Sequence, residues 1–319
     1  MGTWRTAYLR RRAEDMELNP LERRFLTRML EGYSFASGDP GDLESWMEFS
    51  LHAALSAAAR VRDLNHAVGI HSKLKADGSP ATELEREIED RVRGDLSRFA
   101  PDARMVGEES GGEMGSSGFS VAMDPVDGTW AFLTQTESHT VTVNVFRDHL
   151  PVVGVIANPA TGEVAYHGPE GPPRLVRLGL MGRPAQATNL PLRPPPEGKT
   201  LVHLHPNPSA GAMAAGFYRA WEEGVVQMVR SPGGSPAWAL VEAAKGHFIY
   251  VNRWNRRPAE PWDLVGGVEI VRRAGGEVVD LEAAPIDTLS HSGPFVAGLS
   301  ETGRATVSRI ARAALEEGS

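Results

Sequence analysis

The sequence predicts a layered protein of helices and sheets, an α+β first half followed by an α/β second half. Two observations carry this. Amphipathic helical stretches precede a run of short strand-like segments, among which Val141, Val143 and Val145 alternate as a half-buried antiparallel strand does. Beyond a Pro-rich stretch from Pro184 to Lys199, strand-like and helix-like segments alternate to the C-terminus. The 319 residues, 41% hydrophobic and 7% aromatic, suffice to bury a large core as one extended domain or two packed ones.

Residues 1–40 read as a helical arm added to this body. Asn19-Pro20 is a helix-start signal, and Leu21, Phe25, Leu26, Met29 and Leu30 then share one face. Arg10, Arg11 and Arg12 are accompanied by Glu14, Asp15, Glu17 and Glu22, unlike an acid-poor targeting segment. The arm is expected to pack on the body and join a subunit interface, with Ser37-Gly38-Asp39-Pro40 as its linker.

Residues 41–190 form the expected α+β half. A helix from Asp42 to about Asp63 offers Leu43, Trp46, Leu51, Leu55 and Ala58 for burial. After a loop from Lys73 to Pro80, a second helix carries Leu84, Ile88, Val92 and Leu96 at intervals of four. Strands are expected at 104–106, 119–123, 140–146, 152–157, 163–167 and 175–178. In the α/β half, 191–319, strands are expected at 201–205, 225–229, 247–251, 277–280 and 295–299. Helices fall at 210–222, 236–245 and 262–274, with a last one from about Thr302.

Composition excludes several functions. A formal charge of −8 and a pI near 5.7 argue against a nucleic acid polymer or an anionic membrane as partner. The absence of Cys removes disulfides, thiolate chemistry and Cys-bearing zinc sites, leaving carboxylates and His as metal ligands. No apolar run approaches the roughly 20 residues of a membrane span, and no signal-peptide core opens the chain. A cytoplasmic protein is expected.

The chemistry gathers around Asp124-Pro125-Val126-Asp127-Gly128-Thr129, at the junction of a strand and a helix start. Magnesium takes hard oxygen ligands, usually one or two carboxylates with water and phosphate oxygens. Asp124 and Asp127 can converge on neighbouring ions, with the Val126 carbonyl between them, while the Gly128 and Thr129 N–H groups suit an anion. A turn capped by Asp127 is the competing structural reading. Two further pieces lie elsewhere: Gly107-Glu108-Glu109-Ser110 at another strand end, and Pro261-Trp262-Asp263 opening a helix with Gly266-Gly267 inside it. Glycines there cost about 1 kcal/mol each relative to Ala, so close backbone packing is expected; Asp263 alone reads as a helix cap.

These three motifs, in this order and ending at Ala274-Gly275-Gly276, resemble the signature set of the inositol monophosphatase superfamily of magnesium-dependent, lithium-sensitive phosphatases. The resemblance runs from about Asp42 to the C-terminus. It implies an αβαβα sandwich, like that of fructose-1,6-bisphosphatase. By motif position it implies Glu108, Asp124, the Val126 carbonyl, Asp127 and Asp263 as ligands of two or three Mg2+ ions, with Mn2+ as a substitute and Li+ as an inhibitor. It implies phosphate on Asp127, Gly128 and Thr129. The stretch from Lys75 to Glu85 is similar to the family's K-x-D-x-S-P-V-T-x-A-D, whose final Asp works with the hexapeptide Thr on the attacking water. Glu85 stands there, one methylene longer, so catalysis would fall to Glu108, Thr129 and Glu85; Thr82 and Glu85 also have capping-box spacing.

Gly233-Gly234-Ser235 resembles the family's substrate loop, giving Gly234 and Ser235 as substrate contacts. Asn252-Arg253-Trp254-Asn255-Arg256-Arg257 falls where inositol phosphatases place an acidic residue, so Arg256 stands as a basic replacement or as part of a solvated loop. The function implied is hydrolysis of a small phosphorylated metabolite, an inositol or sugar monophosphate, by metal-activated water in a homodimer. The alternatives are a 3'(2'),5'-bisphosphate nucleotide, a sugar bisphosphate, histidinol phosphate, or a non-catalytic phosphometabolite-binding scaffold. An aspartyl-phosphate mechanism is excluded because Pro125 occupies the position its nucleophile needs. No G-x-S-x-G elbow or phosphate-binding G-x-x-x-x-G-K-[ST] loop is present.

Overall fold

The computed structural model describes residues 19–22, 38–65, 72–74, 80–177, 186–192, 198–206, 210–254 and 259–318. In chain order, α1 (Leu43–Asn65) is followed by β1 (Ser72–Leu74), β2 (Pro80–Thr82) and α2 (Glu83–Phe99). Then come β3 (Arg104–Gly107), β4 (Phe119–Asp127), α3 (Thr129–Leu133), β5 (Thr140–Arg147), β6 (Leu150–Asn158) and β7 (Glu163–His167). The first half closes with β8 (Arg174–Arg177) and β9 (Gln186–Asn189). The second half comprises β10 (Leu201–Leu204), α4 (Gly211–Glu222), β11 (Met228–Arg230), α5 (Pro236–Ala244) and β12 (Ile249–Asn252). It ends with α6 (Val265–Arg273), β13 (Glu277–Asp280), β14 (Phe295–Gly298) and α7 (Glu301–Glu317).

Two sheets organise these elements. Strands β3 to β9 lie side by side in sequence order as a seven-stranded sheet, antiparallel except for the β3–β4 pair. The other sheet has five strands in the order β11-β10-β12-β14-β13, with β10 parallel to both its neighbours. Helices α1 and α2 cover the outer face of the first sheet, α5 and α6 fill the space between the sheets, and α4 and α7 cover the far side. The layers are therefore αβαβα.

Periodicity explains the helices. Asp42 caps α1 by accepting from the N–H groups of Glu44 and Ser45, and Trp46, Leu51, Leu55 and Ala58 are buried beneath it. Trp46 stacks on Phe119 and meets Phe99 edge-on, which ties α1 to β4 and to the end of α2. Along α2, Leu84, Ile88, Val92 and Leu96 are all buried. The paired glycines of α6 are explained by approach. A Cβ on Gly266 would collide with Asn144 of β5, and one on Gly267 would lie 2.7 Å from Leu240 of α5.

Four expectations are corrected in detail. The helix expected from Trp262 begins at Val265, because Asp263 turns back to accept from the Glu260 N–H at 3.0 Å and so does not cap it. The strand expected at 119–123 continues to Asp127, with a register shift between Asp124 and Asp127 where Pro125 has no N–H to donate. The loop from Lys73 to Pro80 begins and ends in strand, since β1 pairs antiparallel with β2. The Pro-rich boundary stretch supplies β9, the edge strand of the first sheet, where a Pro-flanked strand is tolerated.

Most of the arm lies outside the described residues, but its Asn19 to Glu22 segment is anchored. Glu22, 3% exposed, accepts from the Tyr166 hydroxyl at 2.7 Å and from Arg174 at 2.9 and 3.0 Å. Asn19 and Glu22 also exchange side-chain-to-backbone bonds at 2.7 and 2.8 Å. Breaking a buried pair from one side leaves the other charge uncompensated, so Glu22→Ala is expected to cost about 3 kcal/mol. Urea denaturation checks this; a loss under about 1 kcal/mol would place the clamp with weak surface pairs.

Candidate active site

A pocket of about 480 Å3 opens where both sheets deliver their ends. The first sheet contributes Glu108 after β3 and Asp124, Val126 and Asp127 on β4, with Gly128 and Thr129 directly after it. From the second sheet come His205 and Pro206 after β10 and Pro232, Gly233 and Gly234 after β11, and Asp263 precedes α6. The β10 and β11 loops leave the carboxyl ends of parallel strands, where open α/β sheets gather ligands.

Asp124, Asp127 and Asp263 are buried, and Glu108 is half-buried. Desolvation holds the Asp124 carboxyl well above the usual range, and the charges of Glu108 and Asp127 push it further; the Val126 N–H at 2.7 Å opposes this. Asp127 is raised to about 8, chiefly by desolvation, with Asp263 and Glu108 adding to it and bonds from Ser235 and the Ala237 N–H opposing. Among the four carboxylates Asp124 and Glu108 share a side-chain hydrogen bond, while among the described residues no group of three His, Asp or Glu is gathered closely enough to hold one ion. Hard divalent cations are the partners such a cluster of desolvated like charges suits.

The water-activating pair expected from the sequence is brought together. Thr129 Oγ1 lies 3.3 Å from Glu85 Oε1 and 3.2 Å from the Val126 carbonyl, and its one hydrogen can go to either. Glu85, 1% exposed, reaches the site from the first turn of α2, and its longer side chain spans the gap. The Thr82 side chain of the alternative capping box lies outside the described ones.

Ser235 is placed differently from the substrate contact expected of it. It is buried, caps α5 by accepting from the Trp238 N–H at 2.8 Å, bonds Thr140 at 2.8 Å and donates to Asp127. Its role is to hold Asp127, while Gly233 and Gly234 line the pocket in its place. Arg256 lies outside the described residues.

Three participants escaped the sequence reading. Glu89, fully buried one turn after Glu85, accepts from the N–H groups of Glu109 and Ser110 at 2.9 and 2.8 Å and so clasps the loop bearing Glu108. A Cβ on Gly107 would run into that carboxylate, which explains the glycine of the motif. The available signal was a second acid four residues after Glu85, beside Ile88 on an otherwise apolar face. Trp130 and His205 line the pocket without belonging to any of the motifs.

Comparison with known proteins agrees with this geometry. The model of the inositol monophosphatase family matches residues 42–314. An inositol-1-monophosphatase of Synechocystis sp. is 28% identical over 261 residues, covering 78% of this chain and 83% of that protein. A histidinol-phosphatase of Mycobacterium tuberculosis is 32% identical over 114 residues, 34% of this chain and 44% of that protein. The solved structure of an IMPase from Thermotoga maritima shares the fold, with a TM-score of 0.67 at 20% identity, covering 85% of this chain and 98% of that one. Fold and family match together define the class: the chain is a phosphoric monoester hydrolase built as an αβαβα sandwich. It belongs to the inositol monophosphatase family.

Proposed function

We propose that the chain is a magnesium-dependent phosphomonoesterase that hydrolyses a small phosphorylated metabolite with a metal-activated water. The observation that carries this is the Thr129–Glu85 hydrogen bond beside a pocket ringed by four carboxylates. Glu108, Asp124, the Val126 carbonyl, Asp127 and Asp263 would hold the ions. Bound divalent cations lower the pKa of a water, clamp phosphate oxygens and stabilise the leaving oxygen.

The chain's own groups orient the reaction. Thr129 Oγ1 gives its single hydrogen to Glu85 or to Val126, so its lone pairs face outward to accept from a water. Glu85 then sits where that proton can be passed on, and Glu108 shares the orienting role. The N–H groups of Gly128 and Thr129, with Gly234 opposite, receive the phosphate oxygens. No Lys or Arg lines the pocket among the described residues, which favours a single phosphate on a sugar-like carrier over a bisphosphate. We place the enzyme in the cytoplasm as a homodimer.

Phosphate release from a panel of monophosphates, with and without Mg2+, tests the reading. Thr129→Ala and Glu85→Gln are each expected to lower kcat by about 10²- to 10³-fold with KM changed only a few-fold. Tight binding of the esters by the wild type without turnover would instead identify a scaffold.

A further inference from the structure

Strand β5 alternates two kinds of side chain, and both are buried. Val141, Val143 and Val145 face α1 and belong to the core there. The opposite face carries Thr140, Thr142 and Asn144, exposed by 0%, 1% and 1%. The alternation of Val with polar residues predicts a strand with one face in water, but that face lies against α5 and α6. Each of its polar groups therefore needs a partner inside the protein.

The partners belong to the candidate site. Thr140 bonds Ser235 at 2.8 Å, and Ser235 in turn donates to Asp127. Thr142 donates to the Trp262 carbonyl at 3.1 Å, and Asn144 donates to the Pro261 carbonyl at 3.2 Å. These two carbonyls immediately precede Asp263, whose N–H donates to the Glu260 carbonyl and whose carboxylate accepts from the Glu260 N–H, each at 3.0 Å. The turn that presents Asp263 is thus tied to β5 by two side chains. In the β4–β5 register Thr142 stands opposite Asp124, and Thr140 stands opposite Asp127. Side chains directly opposite in an antiparallel pair share one face, so the strand that grips the Asp263 turn is also the one beside Asp124.

We propose that Thr142 and Asn144 are positioning residues that tether the 260–263 turn to β5 and so fix Asp263 relative to Asp124 for cation binding. This rests on the reading of the pocket as a cation-dependent phosphatase centre. Asp124 lies on a strand of the first sheet, whereas Asp263 lies between β12 of the second sheet and α6. The two donors carry the placement from one half of the chain to the other. Neither side chain touches the ion or the ester; each acts through the carbonyl it holds. Outer partners of this kind set metal affinity by about 10- to 100-fold.

Calorimetric titration of the metal-free protein with Mg2+ tests the tether. Thr142→Val keeps the shape and loses the hydroxyl, and is expected to weaken Mg2+ binding about tenfold or more; Asn144→Ala should act in the same direction. Thr142→Ser restores the hydroxyl and should bind Mg2+ as the wild type does. Val143→Ala is the control, since it opens a cavity on the opposite face of the same strand and should lower stability without weakening Mg2+ binding. In turnover, Thr142→Val should need about tenfold more Mg2+ for half-maximal rate, with KM for the ester at saturating Mg2+ changed only a few-fold. Wild-type affinity in Thr142→Val or Asn144→Ala, or an equal loss in Val143→Ala, overturns the proposal. Hydrogen exchange of the metal-free protein gives a reading that needs no ion. The Asp263 amide should exchange about tenfold faster in Thr142→Val than in the wild type or Val143→Ala. If the wild type binds no divalent cation, the cation-dependent reading fails and exchange alone decides the tether; an unmoved Asp263 amide overturns it.

Discussion

Asp124→Asn is expected to reduce magnesium-dependent phosphate release on the order of a thousandfold while making the metal-free protein more stable. The first effect follows from position: Asp124 lies on β4 between Glu108 and Asp127, and would bridge two ions in the proposed site. The second follows from its environment, since burial and two neighbouring carboxylates all disfavour its charge. Asparagine removes that charge at nearly the same volume. Such opposition between stability and activity is usual where like charges are held together for function.

The same electrostatics fixes a pH dependence. Asp127 is raised from 3.8 to about 8 in the folded chain, so the folded state binds more protons than the unfolded state between those values. Stability of the metal-free protein should therefore fall as pH rises through that window, and Mg2+ should reverse the loss at its upper end. Thermal melts of wild type and Asp124→Asn across the window, with and without Mg2+, check both effects. A variant that is less stable than the wild type without metal, or that retains turnover within tenfold, contradicts the assignment.

Gly234→Ala is expected to destabilise the protein by about 3 kcal/mol or more and to abolish activity at temperatures where the wild type works. Gly234 has φ +88°, in the left-handed region, and a Cβ there would run into the Ser138 carbonyl. That carbonyl accepts the Ser235 N–H at 2.7 Å, so it cannot retreat without releasing the loop. Gly128, at φ +91°, faces the same junction, and a Cβ on it would lie 2.8 Å from the Ser235 nitrogen. The two glycines let the turn after β4 and the β11–α5 loop touch, which is how Ser235 reaches Asp127. Chemical denaturation and residual activity measure the effect. A variant within about 1 kcal/mol of the wild type would mean that the junction yields easily.

The hexapeptide, the Gly107–Ser110 motif and Asp263 were legible because their chemistry is local: hard oxygen ligands at element ends and glycines beside them. The helices of the first half were legible because Leu84, Ile88, Val92 and Leu96 keep one period. Ser235 was not, because the sequence gives a loop residue no direction; only packing of α5 against β5 turns it towards Asp127. Glu89 read as one acid among many on a polar helix, and its burial depends on β3 placing two N–H groups against it. Trp130 lies on α3 and His205 follows β10 of the other sheet, 75 positions apart in the chain, and no periodicity relates them. By itself, then, the sequence determined the layered fold, the family and the acidic edge, since these rest on patterns within short windows. Only the tertiary structure decided that Glu85 spans to Thr129, that Ser235 and Glu89 hold the site from behind, and that Trp130 and His205 line the same pocket. Those contacts join segments whose separation is set by how the two sheets stack, and no local pattern encodes that distance.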